Sequence, residues 1–165
     1  MAERRRMTLM DPAVLDALRT LLDTERVLTL AVLVDGDPVA ALLPFVVTAD
    51  YTAVLVQASG LSRHTRGLVD GATVGVAIHV PATPDRDPMQ IPRLTVQATV
   101  RVVERDTHAF AAAATRLAGR FPAAAMTLPL PDFQLCALEL GRGRYIEGFA
   151  RAFNVNAETF RALTT

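Results

Sequence analysis

From Arg93 to Glu104 apolar and polar residues alternate: Leu94, Val96, Ala98, Val100 and Val102 fall on one face, and Arg93, Thr95, Gln97, Thr99 and Arg101 on the other. Only an extended strand repeats every two residues, so this stretch predicts a half-buried strand and makes β structure the frame for the rest. Its neighbours follow suit. Val27 to Val34 is β-branched and apolar, Asp35-Gly36-Asp37-Pro38 is a turn, and Val39 to Thr48 is apolar again, which predicts a hairpin. Pro44 inside the second strand predicts an edge position or a bulge. Tyr51 to Ala58 and Thr73 to Val80 read as further strands. Phe133 to Leu140 and Gly143 to Glu147 predict a closing hairpin around Gly141-Arg142-Gly143, with Gly148 to Phe153 extended behind it.

Helical signals are few. Asp11-Pro12 is a cap and first-turn pair ahead of Val14, Leu15, Leu18, Leu21 and Leu22, which predicts a helix over Asp11 to Asp23. Leu61 to Asp70 has a helical pattern, and Asp106-Thr107 caps an Ala-rich helix to about Gly119 that Phe121-Pro122 breaks. Pro81 to Pro92, with four prolines, is a surface loop. Strands joined mostly by tight turns, with few helices, predict a mainly β, α+β architecture: an antiparallel sheet or barrel decorated by helices.

With 165 residues the chain suits one domain, expected over 11–155, between a disordered tail at 1–10 and a C-terminal tail at 156–165. Its 17 basic and 17 acidic residues cancel, which excludes a general attraction to nucleic acid or anionic membrane. Mean hydropathy is high at +0.28, yet no apolar run approaches the roughly 18 residues needed to span a bilayer. The surplus is read as a subunit interface. The lone Cys136 has no disulfide partner and the basic N-terminus has no apolar core behind it, so a cytoplasmic protein without a secretory signal is expected.

The segment Ser59-Gly60-Leu61-Ser62-Arg63-His64-Thr65-Arg66 carries the candidate chemistry. Hydroxyls and basic groups crowd the expected helix start, where Arg63, His64 and Arg66 oppose the helix field unless an anion compensates them; a phosphate is the simplest such group. Ser59, Ser62 and Thr65 offer hydroxyls, and Gly60 allows a close approach of the backbone to a ligand. Arg93 and Gln97 are candidate donors from the alternating strand. No metal-ligand spacing, Gly-x-Ser-x-Gly elbow, P-loop or Gly-x-Gly-x-x-Gly fingerprint occurs, so no metal site, serine hydrolase or ordinary nucleotide fold is expected.

Ser59 to Leu68 resembles the Ser-x-Leu-x-x-His-Thr-x-Asn-Leu signature of the pyridoxamine 5′-phosphate oxidase-like flavin-binding split barrels, especially the branch related to haem-utilisation proteins. Pro92-Arg93-Leu94-Thr95-Val96, Arg116 to Pro122, Asp132-Phe133-Gln134-Leu135 and Gly143 to Ala152 resemble later landmarks of that family in the same order. The resemblance implies a six-stranded antiparallel split β-barrel and a homodimer holding FMN at the subunit interface. It further implies a phosphate clamp at Ser59, Ser62, Arg63, His64, Thr65 and Arg66, with Leu43 to Val46 beside the isoalloxazine ring. Arg93 and Gln97 would approach the cofactor, from the partner subunit in one arrangement. The implied function is an FMN-dependent oxidoreductase acting on a small molecule; the alternatives are a non-catalytic flavin- or haem-binding module, a haem-degrading relative, or use of a deazaflavin. Gly67 stands where the family pattern has Asn, which removes a donor. The sequence also ends at Thr165, without the further domain many haem-utilisation relatives carry, so haem degradation does not follow from kinship.

Overall fold

The computed structural model describes residues 10–164; the expected tail at 1–10 lies outside them except for Met10. Helix α1 (Pro12–Thr24) is followed by strands β1 (Val27–Val34), β2 (Asp37–Val47) and β3 (Ala53–Ser59), a short 3-10 helix (Arg63–Gly67), and strands β4 (Thr73–His79) and β5 (Arg93–Val102). Helices α2 (His108–Arg120) and α3 (Ala124–Thr127), strands β6 (Phe133–Gly148) and β7 (Arg151–Val155), and helix α4 (Ala157–Arg161) complete the chain. All strand pairs are antiparallel, in the order β3-β2-β1-β4-β5-β6-β7, and an additional β3–β6 pairing closes the first six into a barrel.

Local chemistry explains the early strands. Asp35 and Gly36 both take positive φ, 55° and 87°, the geometry that matches a two-residue turn to the twist of its strands. Pro44 sits where β2 changes partner: pairing with β1 ends at Val27–Pro44 and pairing with β3 begins at Phe45–Val56. The missing N–H therefore falls at an edge position, as expected. Inward residues such as Leu30, Phe45, Val54, Ile78, Leu94 and Leu138 fill the barrel. Helix α1 touches β2, β4 and β6, strands that are not neighbours, so it lies across one end of the barrel and buries Val14, Leu18, Leu21 and Leu22 there. Arg120 fastens the end of α1, donating to the carbonyls of Asp23 at 2.8 Å and Glu25 at 2.6 Å. A second apolar cluster joins Ala113, Leu117, Ala124 and Leu128 of the α2–α3 layer to the outer side of β2, β3 and β6 through Val46, Leu55 and Leu135. Cys136 is buried in the barrel, and desolvation pushes its thiol up to about 11, so it is an unreactive packing residue.

Three expectations differ from the structure. Leu61 to Asp70 is not an α-helix; only the five-residue 3-10 turn forms. Gly141-Arg142-Gly143 is not a hairpin turn but a bulge within one 16-residue strand, where Val96 faces Gly143 while Ala98 faces Leu140. Gly143 is needed because a Cβ there would lie 2.2 Å from the Thr95 carbonyl oxygen. The chain reverses later, at Phe149-Ala150, to form β7. Finally, the segment expected as a C-terminal tail folds into α4 and a 3-10 turn over Ala162–Thr164, with Phe160 and Leu163 in the main core.

The bulge has a consequence for the surface. Its extra residue inverts the alternation, so Cys136, Leu138 and Leu140 point inward before it and Tyr145 after it. Arg142 and Arg144 are thereby turned onto the outer face.

Candidate functional site

The Ser59–Arg66 segment runs off the end of β3, and most of its polar groups are already occupied. The Ser59 hydroxyl accepts from the Leu61 amide at 3.2 Å, and the buried Thr65 hydroxyl donates to the Ser59 carbonyl at 2.5 Å. Gly60 does bring the backbone close to a neighbour, but that neighbour is Asp132: the Gly60 amide donates to its carbonyl at 2.6 Å. Ser62 caps the 3-10 turn without a side-chain hydrogen bond to it. A turn of this length has no dipole comparable with that of a full helix. The arginines have their counter-charges within the chain: Arg63 donates to Asp37 at 2.9 Å, and Arg66 pairs with Asp35. The β1–β2 turn thus supplies the anions that the sequence reading sought in a phosphate. Both pairs are exposed and contribute little to stability.

The charged form of His64 is disfavoured. Burial pushes its imidazole below the ordinary range, and its Nε2 is buried without a partner. The unfolded chain takes up a proton near pH 6.5 while the folded chain resists it. The stability tied to this group is therefore complete above about pH 6.5 and is lost as the pH falls through the folded value. His64→Gln is expected to flatten the acid side of a melting-temperature profile between about pH 7 and pH 5; an unaltered profile would count against the assignment.

Arg93 and Gln97 share one face of β5 but have separate surroundings. Arg93 turns to its own loop, donating to the Ile91 carbonyl at 3.0 Å. Gln97 is exposed on a broad concavity of about 1090 Å³ on the outer face of the barrel, which none of the Ser59–Arg66 residues lines. Its floor is made of small or backbone-exposing positions: Thr29 and Ala31 of β1, Gly75 and Ala77 of β4, and Thr95 of β5. Its wall is the ribbon of β6 and β7, with Arg142, Arg144, Asn154 and Asn156. Arg144 donates to Asn154 at 3.2 Å, and among the described residues neither Arg142 nor Arg144 makes an ion pair. Among the described residues no acidic side chain lines the concavity. Neither arginine stands out in the sequence, where Arg142 falls in an expected turn and Arg144 in the strand after it; their i, i+2 spacing is the available signal.

A second, smaller cavity of about 380 Å³ lies between β2, β3 and the α2–α3 layer, lined by Pro44, Gln57, Leu117, Phe121, Thr127 and Phe133 among others. Gln57 donates to the Thr127 hydroxyl, while its Oε1 is buried without a partner. Of the strand expected beside a flavin ring, Pro44 lines this cavity, whereas Leu43 and Val46 are packed in the two cores.

The first six strands form a closed antiparallel split barrel, with a broad concavity beside its terminal ribbon. No family model matches the chain. It is 28% identical over 124 residues to the haem oxygenase HutZ of Vibrio cholerae, covering 74% of this chain and 69% of that protein. The crystal structure of HutZ, described as a haem storage protein, aligns with a TM-score of 0.70 at 25% identity over 78% of this chain and 90% of that one. A haem-binding protein of Mycobacterium smegmatis aligns with a TM-score of 0.79 at 26% identity, over 93% of this chain and 62% of that one, so the chain spans under two thirds of that relative. Another M. smegmatis protein, described as binding FAD and haem, has a TM-score of 0.53 at 23% identity over 76% of this chain and 66% of its own, a likeness of fold. The chain has the split-barrel fold and is similar in sequence and structure to these haem-utilisation proteins. Among the described residues no helix is long and apolar enough to cross a membrane.

Proposed function

We propose that this protein binds haem on the outer face of the barrel. The observation that carries this reading is the pair Arg142 and Arg144, without acidic partners, standing over a floor of small, uncharged side chains. A flat macrocycle bearing carboxylates fits that chemistry: its ring covers Ala31, Gly75 and Ala77, and its propionates meet the two guanidinium groups, which bind carboxylates in a matching fork. The haem-binding descriptions of the relatives support the same choice. Bound haem supplies an iron centre for oxygen or electron chemistry; the chain supplies the platform and the charge.

Haemin titration followed at the Soret band tests this. The wild-type protein is expected to saturate, and Arg142→Glu and Arg144→Glu are each expected to weaken binding by about tenfold, the scale of a lost charge-assisted hydrogen bond. No saturable binding by the wild type would refute the proposal. The same uncharged strip, with Val27, Leu33 and Leu42 exposed, is the surface through which a second copy would close over the ligand, an arrangement that sedimentation velocity checks.

A flavin is the second reading, favoured by the cavity beside Pro44 with its unpartnered Gln57 Oε1, two residues before Ser59. FMN there would place ring N–H groups near Gln57 and its phosphate at Ser59, Ser62, Arg63, His64, Thr65 and Arg66. The phosphate would have to displace Asp35 and Asp37 from the arginines. Quenching of FMN fluorescence that strengthens in the Asp35→Asn/Asp37→Asn double variant supports this reading; no quenching by either protein removes it. With FMN bound, the activity implied is that of an oxidoreductase on a small molecule, with the ring carrying the redox chemistry.

A further inference from the structure

We propose that the outer concavity recognises the tetrapyrrole ring and its paired carboxylates rather than the iron, so that a metal-free porphyrin with two carboxylates on one edge binds as well as haem. The inference rests on the haem reading and names the class of ligand the site takes. Haem iron is held in proteins by imidazole, thiolate, thioether or phenolate side chains. The lining consists of threonine, alanine, glycine, valine, glutamine, arginine and asparagine, so among the described residues it holds none of those groups. Its amide and hydroxyl oxygens suit harder cations. The iron therefore gains no bond from this surface.

What the lining does distinguish is where charge lies around the ring. Strand pairing sets Arg144 opposite Thr95, Thr95 opposite Ala77, and Ala77 opposite Thr29. Arg144 and Thr29 are thus three strand spacings apart, roughly 14 Å between backbones. The next row runs from Gln97 to Gly75 to Ala31. All the positive charge stands at the β6 end, on Arg142 and Arg144, while the positions on β4 and β1 are neutral. Asn154 takes one N–H of Arg144 at 3.2 Å, which leaves the other donors of that guanidinium for a ligand. Away from the arginines, a neighbouring recess of about 290 Å³ shares Ala31, Gly75 and Gln97 and reaches Leu33 and Pro38, so polarity keeps falling in that direction. A ring with both carboxylates on one edge matches this gradient. Carboxylates on the far edges would lie over Ala31, Gly75 and Ala77, which offer no side-chain donor, and would lose hydration without gaining a partner.

The test titrates the full chain with haemin, metal-free protoporphyrin IX, its dimethyl ester, and uroporphyrin I, which carries carboxylates on every edge. Haemin is followed at the Soret band and the metal-free porphyrins by fluorescence. Haemin and protoporphyrin IX are expected to bind within about threefold of each other. The ester and uroporphyrin I are each expected to bind at least about tenfold more weakly, the scale of a lost charge-assisted hydrogen bond or a carboxylate left unpaired. In the Arg142→Gln/Arg144→Gln double variant the diacid and its ester are expected to converge. Ala31 is exposed, so Ala31→Leu raises the floor without touching the core, and it is expected to weaken haemin and protoporphyrin IX by the same factor. Haemin binding more than about tenfold tighter than protoporphyrin IX overturns the inference while leaving haem binding intact, because the iron then has a ligand of its own. Uroporphyrin I or the ester binding as tightly as protoporphyrin IX also overturns it, since the placement of the carboxylates then decides nothing. Failure of the wild type to bind haemin overturns the haem reading itself and this inference with it.

Discussion

Phe160→Ala is expected to destabilise the protein by about 3–5 kcal/mol, the range for removing a fully buried aromatic side chain. Phe160 is completely buried, and it and Leu163 belong to the main core that also holds Leu18 and Leu22 of α1. The five-residue α4 is too short to hold itself together by backbone hydrogen bonds alone. Two things hold it. Asn156 closes a reciprocal cap, accepting from the amides of Glu158 at 2.9 Å and Thr159 at 3.1 Å while its own amide donates to the Thr159 hydroxyl at 3.2 Å. Phe160 then fixes the turn to the barrel. Because Asn156 and Val155 also line the outer concavity, the loss should be felt there. At roughly 2–4 °C per kcal/mol for a chain of this size, the melting temperature should fall by about 10 °C. Thermal melts decide the matter: a drop of a degree or two would mean that this segment is peripheral. Asn156→Ala, removing the cap alone, should cost only about 1 kcal/mol.

That segment shows where the sequence stopped being legible. The strands β1 to β5 could be read because their information is local: alternation marks the faces, and Asp35-Gly36 marks the turn. The cap at Asn156 is equally local, but it uses Thr159 where the common signature has an acid or amide, and only five helical residues follow. The bulge was opaque for a different reason. A glycine signals either a positive φ or a close approach, and Gly141-Arg142-Gly143 was read as the first when Gly143 serves the second, against the Thr95 carbonyl. A turn at Arg142 also leaves no reason to pair its side chain with that of Arg144 on one face of a strand. The Ser59–Arg66 segment stands out in the sequence by its charge and hydroxyls. Its partners, Asp35 and Asp37, lie 31 and 26 residues back along the chain, and no local pattern joins them.

Gly67→Asn, which restores the residue of the family signature, is expected to destabilise the fold by about 3 kcal/mol or more. A Cβ on residue 67 would lie 2.4 Å from Val32 Cγ2 and 2.5 Å from the Leu33 carbonyl oxygen, with Val34 Cγ2 at 3.3 Å. The first of these can yield by a rotamer change; the second cannot, because the Leu33 carbonyl belongs to β1, paired with β2 in the hairpin that also holds Asp35 and Asp37. The 3-10 turn would have to lift off β1, which strains the Arg63–Asp37 and Arg66–Asp35 contacts together. Gly67 is therefore the residue that lets this turn lie directly on β1, and its departure from the family pattern is a packing choice as well as a lost donor. Val32→Ala should rescue only part of the loss, since it relieves one contact and opens a cavity of its own. Chemical denaturation of the single and double variants separates the two contributions. If Gly67→Asn proves as stable as the wild type, the close seating of the turn on β1 is wrong, and a polar side chain at this position again becomes available to a phosphate.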